Sequence, residues 1–167
     1  MHEDLRRVVR ELGVEVPALE SAASFSATSL ALAERRLRED RHDDEVAFDV
    51  VVLGSLARLE ATDRSDFDFL LVSHKLPDDP RESRRLLASI QAVQEELELG
   101  DPGATGLFGS VVSATDLTER IGLEADTNQT HSRRILLLEE SRSIYRRDLH
   151  RELIRRIVER YLLDAED

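Results

Sequence analysis

Residues 50–72 read VVVLGSLARLEATDRSDFDFLLV. Two apolar runs bracket a short polar stretch, which predicts two buried strands on either side of a turn. The first run, residues 46–53, ends at Gly54-Ser55. Glycine there lets a ligand approach the backbone closely, and the start of a following helix would present N–H groups to an anion. The second run, residues 67–72, follows Asp66 and carries Asp68. Residues i and i+2 of a strand share a face, so the two carboxylates project together, their Cβ atoms roughly 6–7 Å apart at ~3.3 Å rise per residue. Phe67, Phe69 and Leu71 point the other way and anchor the strand. Two like charges that close are costly unless a cation sits between them. Hard carboxylate oxygens suit Mg²⁺ or Mn²⁺, which also bridge phosphates, so an anion-friendly turn facing a carboxylate pair fits metal-dependent phosphoryl chemistry.

The remaining chain reads as mostly helical. Leu5, Val8, Val9 and Leu12 predict a short amphipathic helix over 3–12, stopped by Gly13. After Pro17, the stripe Leu19, Ala22, Ala23, Ser26, Leu30, Ala33, Leu37 predicts a long helix running into the charged stretch REDRHDDE. Both are expected to be packing elements without chemistry. Leu86, Ile90, Val93 and Leu97 predict a helix over 81–99, GDPGATG a loop, and residues 107–113 a third, shorter strand. Ser113 or Thr115 would cap a short helix through Ile121. The last quarter reads as helical over 128–140 and 149–163. The division expected is residues 1–125 as the main domain with its N-terminal helices, and 126–167 as a C-terminal helical extension packed on it.

Composition removes whole classes of function. The chain of 167 residues has no cysteine, which excludes disulfide frameworks, thiolate metal sites and thiol nucleophiles. No apolar run approaches ~18 residues and the first dozen residues are charged, so neither a membrane span nor a secretory signal is read, and a soluble, cytoplasmic protein is expected. The net charge of −12 counts against a protein that holds long nucleic acid through its phosphates. The charge is uneven: residues 41–80 carry ten acids against four bases, and residues 131–160 nine bases against five acids. The positive stretch is expected to pack near the negative one and narrow a phosphate-binding cleft.

GSLARLEATDRSDFDFLLV resembles the signature of the DNA-polymerase-β-like nucleotidyltransferase superfamily: G-S-x-A-R, a spacer, then S-D-x-D. The resemblance is close over residues 46–72 and loose around them. With the long helical N-terminus and the arginine-rich tail, the chain looks most like bacterial nucleotidyltransferases related to the uridylyltransferase-like domains of signalling proteins. Such relatives often continue beyond the point where this chain ends, which makes it read as a shortened or minimal member. The resemblance implies an α/β (α+β) nucleotidyltransferase fold, a small mixed sheet flanked by helices, with extra helices at both ends. It also implies transfer of a nucleoside monophosphate from an NTP, ATP among the candidates, to an acceptor, with Mg²⁺ or Mn²⁺ as cofactor. Asp66 and Asp68 would be catalytic and hold metal, while Gly54 and Ser55 would contact the phosphates. Arg58 would meet a phosphate or pair with Asp66, and Ser65 would brace the loop before Asp66.

One departure stands out. Many members carry a third carboxylate on a neighbouring strand, whereas LFGSVVS holds no acid. Asp116 reads as the beginning of a helix and Glu60 as a helix-surface residue. The five histidines read as surface residues, and Thr130, Arg133 and Arg134 as a solvated helix start. The acidic balance points to a protein or small-molecule acceptor. A second reading is a nucleotide-binding or protein-interaction module of the same fold with impaired catalysis, and a third is an antitoxin-type nucleotidyltransferase. Oligomeric state is not readable from the residues.

Overall fold

A computed structural model describes residues 3–39, 47–75 and 80–164. In chain order the elements are α1 (Glu3–Leu12), α2 (Pro17–Glu39), β1 (Phe48–Val52), α3 (Gly54–Ala57), β2 (Phe69–Ser73) and α4 (Pro80–Glu96). They continue with β3 (Ser110–Ser113), α5 (Ala114–Glu119), α6 (Asn128–Glu140), β4 (Arg142–Ser143) and α7 (Arg147–Asp164). The strands form one mixed sheet in the order β3-β2-β1-β4. β1 runs antiparallel to β2 and to β4, and β2 runs parallel to β3. This is the mixed sheet flanked by helices that the sequence predicts.

Both sheet faces are covered, which explains why β1 and β2 are buried throughout and mostly apolar without alternating polarity. Phe48, Val50, Val52, Phe69 and Leu71 pack on one face with Leu30, Ala33 and Leu37 of α2 and Leu86, Ile90 and Val93 of α4. Val51, Leu53, Leu70 and Val72 pack on the other with Leu117 of α5, Leu137 of α6, and Leu153 and Ile157 of α7. The residues from 126 onward thus cover this face together with α5 and also supply β4, the edge strand beside β1. Among the described residues no helix is long and apolar enough to cross a membrane.

Several expectations need correction. α2 buries its predicted stripe except Leu19, which is exposed. α1 has the predicted length and ends at Gly13, whose φ of +63° suits glycine. Its apolar stripe is not packed, however: Leu5, Val8 and Leu12 are all exposed. The acidic run after α2 lies largely outside the described residues. β4 was not anticipated, because two residues are too few to show a period. His74 and His150 are half-buried rather than superficial: burial pushes His74 down to about 4, and His150 Nε2 lies 2.9 Å from Ser141 Oγ. Arg134 is no solvated helix start. It is fully buried, donates to both Asp126 oxygens and to the Tyr161 hydroxyl, and sits over the Tyr161 ring.

β4 is held by a buried acid hidden inside the apolar run of β1. Asp49 has no exposed surface, and its Oδ1 accepts from Ser143 Oγ and from Arg146 N–H, each at 2.8 Å. It thereby ties both the edge strand and the entry to α7 to the central strand. Its Oδ2 is buried without a hydrogen-bond partner. Burial pushes Asp49 up to about 7, against the lowering effect of its Arg146 and Ser143 hydrogen bonds. The folded protein therefore keeps a proton that the unfolded chain has released by pH 5, so this group withdraws stability as pH rises towards about 7. Asp49→Asn keeps an Oδ1 acceptor and removes the charge. Its stability relative to the parent should improve between pH 5 and pH 7 by on the order of 1 kcal/mol per pH unit. Urea unfolding of both proteins at the two pH values measures this, and a difference that does not move with pH would show that Asp49 is ionised throughout.

Candidate functional site

Strand register builds the site at one end of the sheet. Val52 is the last residue of β1 and pairs with Phe69, the first of β2. Just past that pair, Leu53 N–H donates to the Asp68 carbonyl at 2.9 Å, so the chain turns at Gly54 directly against Asp68. Gly54 has φ +61°, and a Cβ there would lie 3.2 Å from Asp68 Oδ2. Glycine is needed on both counts, conformation and space. α3 is a single turn of four residues, so it supplies little of the helix dipole suggested by the sequence.

Asp66 and Asp68 precede β2 instead of lying within it. Asp66 forms only an isolated parallel bridge to Gly100. The alternation nevertheless holds, with Phe67 and Phe69 buried while Asp66 is exposed and Asp68 half-buried. The strand begins late because the loop after α4 takes the place of a neighbouring strand. Phe67 N–H donates to the Gly100 carbonyl at 2.9 Å, and Gly100 N–H to the Ser65 carbonyl at 3.0 Å. Gly103 N–H then donates to Asp68 Oδ1 at 2.9 Å. Gln94 braces this loop through Gly100 O and Asp101 Oδ1. Desolvation raises Asp68 above the usual carboxylate range, Gly103 lowers it in part, and the charges of Asp66 and Glu140 raise it further.

The other predicted residues fall as follows. Ser65 braces the turn before Asp66, its Oγ accepting from Thr62 N–H at 3.0 Å. Ser55 is half-buried beside Gly54. Arg58 pairs with neither aspartate: its Nε donates to Glu60 at 2.8 Å, and its Nη1 is ion-paired with Glu140. Asp116 lies in the first turn of α5, behind the Ser113 cap, and pairs with Arg120. Because β2 and β3 are parallel, the end of β3 is at the opposite end of the sheet from Asp68, roughly 15 Å away at the strand rise. Four of the tail's arginines pair with acids other than Asp66 and Asp68. Arg146 pairs with Asp148, Arg147 with Glu34, Arg155 with Glu152 and Glu159, and Arg156 with Glu119. Arg133 instead donates to the Gly106 and Leu107 carbonyls of the glycine loop.

The sequence reading missed Gly100, Gly103 and Glu140. Two of them were present as GDPGATG, a loop whose glycines signalled a turn but not its partner. Glu140 carried no local signal at all. Among the described residues, no three His, Cys, Asp or Glu side chains converge closely enough to hold a metal ion. What is assembled is a pair of hard carboxylates at the end of the two central strands, with backbone close on both. That donor chemistry fits Mg²⁺ or Mn²⁺ carrying phosphate and water as its other ligands.

Gly100 separates site geometry from folding. A Cβ there would lie 2.7 Å from Asp66 Oδ1, an exposed side-chain tip that can move, while the backbone is no closer than 3.5 Å. Gly100→Ala should shift the melting temperature by no more than a few degrees, since it displaces a carboxylate and not the core. The same change should weaken Mg²⁺-dependent NTP binding several-fold, measured by calorimetric titration. Unchanged binding would show that the Asp66 position is immaterial.

Comparison with known proteins matches residues 3–107, more than half of the chain, to a family model described as Putative nucleotidyltransferase DUF294. The matched span runs from α1 through the glycine loop and contains both aspartates; Glu140 lies outside it. No curated protein and no solved structure matches the chain.

Proposed function

The chain belongs to the family described as Putative nucleotidyltransferase DUF294, and from that premise we propose that it transfers a nucleoside monophosphate from an NTP to a hydroxyl of a protein or small-molecule acceptor. The observation that carries this reading is the placement of Asp68 against the Gly54 turn, with Asp66 beside it and exposed at the end of the two central strands.

Each residue has a role in it. Asp66 and Asp68 would hold a divalent cation, Mg²⁺ or Mn²⁺, whose chemistry is to polarise the α-phosphoryl group and neutralise the departing pyrophosphate. Gly54 leaves room for phosphate oxygens beside the backbone, and Ser55 offers a hydroxyl to them. The glycine loop fixes the Asp68 carboxylate through Gly103, and Ser65 and Gly100 fix the backbone on either side of Asp66, which limits reorganisation when charge develops in the transition state. Arg58 sits one turn beyond Ser55 with a planar donor fork suited to phosphate. The acceptor hydroxyl oxygen would attack the α-phosphorus in line as the bond from that phosphorus to the bridging oxygen breaks; the hydroxyl proton passes to solvent and pyrophosphate departs. The net charge of −12 favours a protein or small-molecule acceptor over a polynucleotide.

A second reading, a nucleotide-binding module with impaired catalysis, is favoured by one observation: no third acid stands within ligating distance of the pair among the described residues. Incubation with each of the four NTPs and Mg²⁺, followed by pyrophosphate measurement, separates the two. Pyrophosphate release with at least one NTP is expected. Metal-dependent NTP binding without release would establish the second reading.

Asp68→Asn and Asp66→Asn test the carboxylates directly. Burial and mutual repulsion disfavour the ionised form of Asp68, and no arginine pairs with it to reverse that sign. In EDTA the variants should therefore melt at or above the parent temperature, because asparagine removes the charge and its Oδ1 can still accept from Gly103. With Mg²⁺ and NTP, the ligand-induced shift should disappear and pyrophosphate release should fall by about two orders of magnitude. Destabilisation in EDTA together with an intact ligand shift would mean the carboxylates are structural.

A further inference from the structure

The loop that reaches Asp68 is held in place by α6. Residues 101–109 carry neither helix nor strand. Gln94 fixes the near end of this loop through Gly100 O and Asp101 Oδ1. The far end is fixed by Gly109 N–H, which donates to the Phe69 carbonyl at 2.8 Å. Between these ends lies Gly103, whose N–H meets Asp68 Oδ1. The turn that follows it is gripped from α6. Arg133 Nε donates to the Leu107 carbonyl at 2.9 Å, and its Nη2 donates to the Gly106 carbonyl at 3.1 Å and to Ser110 Oγ at 2.8 Å. Gln129, one turn earlier, donates to the same Gly106 carbonyl at 2.6 Å. Arg133 is half-buried, and burial pushes its guanidinium down from the usual arginine range. The oxygens it meets are neutral, so its charge is spent on two carbonyls and a hydroxyl with no carboxylate in return. A cation taken partly out of water on those terms is costly unless its hydrogen bonds are kept. Arg133 lies outside the residues matched to the family, 3–107.

We propose that Arg133 is a positioning residue of the aspartate site: by clamping the turn of the glycine loop to α6, it keeps Gly103 N–H on Asp68 and so fixes the direction of that carboxylate. This rests on the nucleotidyltransferase reading above. Gly103 is three residues from Gly106, too short a tether for the turn to leave α6 without drawing Gly103 along. A carboxylate that loses its orienting donor has to be ordered again each time a metal-bound phosphate arrives, and that ordering is subtracted from binding. The planar guanidinium fork spans successive carbonyls and Ser110 at once, which a lysine ammonium on its flexible stem does not.

Glycine amide hydrogen exchange, followed by NMR on the full chain, reads the clamp without any turnover. Gly109 is the internal reference, because its N–H bonds to the Phe69 carbonyl and not to Asp68. Arg133→Met keeps a long side chain and removes its donors. Relative to Gly109, Gly103 should then exchange at least about 10-fold faster than in the parent. Mg²⁺-dependent binding of ATP, GTP, CTP and UTP, each titrated calorimetrically, should weaken several-fold for every one the parent binds, since the clamp acts on the carboxylate and not on the base. Arg133→Lys returns one donor and should regain part of both effects. Gln129 is exposed, so Gln129→Ala keeps the protein folded and should move both readouts the same way by less. An unchanged Gly103 amide, an equal acceleration of Gly103 and Gly109, or unchanged NTP binding in Arg133→Met each overturns the proposal alone. A parent with no Mg²⁺-dependent binding of any NTP overturns the nucleotidyltransferase reading and this proposal with it.

Discussion

The hydrogen bond from Leu53 N–H to the Asp68 carbonyl fixes where everything else in the site must be. It extends the antiparallel ladder of β1 and β2 one step beyond the last paired residues, so the chain turns at Gly54 with no slack between the turn and the acid. A one-residue slip in this register would exchange the two sheet faces and send Phe69 and Leu71 out of their core. Packing on both faces forbids the slip, because α2 and α4 cover one side and α5, α6 and α7 the other. The rigidity of the site is therefore inherited from burial of β1 and β2, and no special contact among the acids is required.

How legible this was in the sequence depended on distance along the chain. The turn, the aspartates and their alternation with Phe67 and Phe69 lie within one short window, where periodicity and turn chemistry speak directly. Gly100 and Gly103 were visible as loop residues, but their contact with Asp66 and Asp68 depends on how α4 returns the chain, which no local pattern encodes. Glu140 and Asp49 were illegible for opposite reasons. Glu140 looked like one more charge ending a helix. Asp49 was masked by the four apolar neighbours of a strand that buries it completely. The tail misled for a third reason: counting charge by segment ignores that helical arginines find acids three or four residues away, as Arg155 does with Glu152 and Glu159.

The tail's contribution is mechanical. Asp126 and Arg134 form an ion pair at the start of α6, where the arginine has no exposed surface and its third contact is the Tyr161 hydroxyl of α7. A charge buried that completely is tolerated only with its partners in place, so the pair specifies how α6 and α7 meet. Asp49 does the same at the other end, pinning Ser143 and Arg146 to the centre of the sheet. Between these two fixed points runs the segment that carries Glu140.

That arrangement bears on how the site can respond to a ligand. Asp68 is held by Gly103 and the ladder, and Glu140 by β4 on one side and α6 on the other, so neither backbone has freedom to approach the other. The groups able to move are the exposed Asp66 carboxylate and the Arg58 guanidinium. Arg58 is also the only one of these groups whose charge sign opposes the rest. A ligand at this end of the sheet therefore meets a fixed Asp68, a movable Asp66 carboxylate and a movable cation.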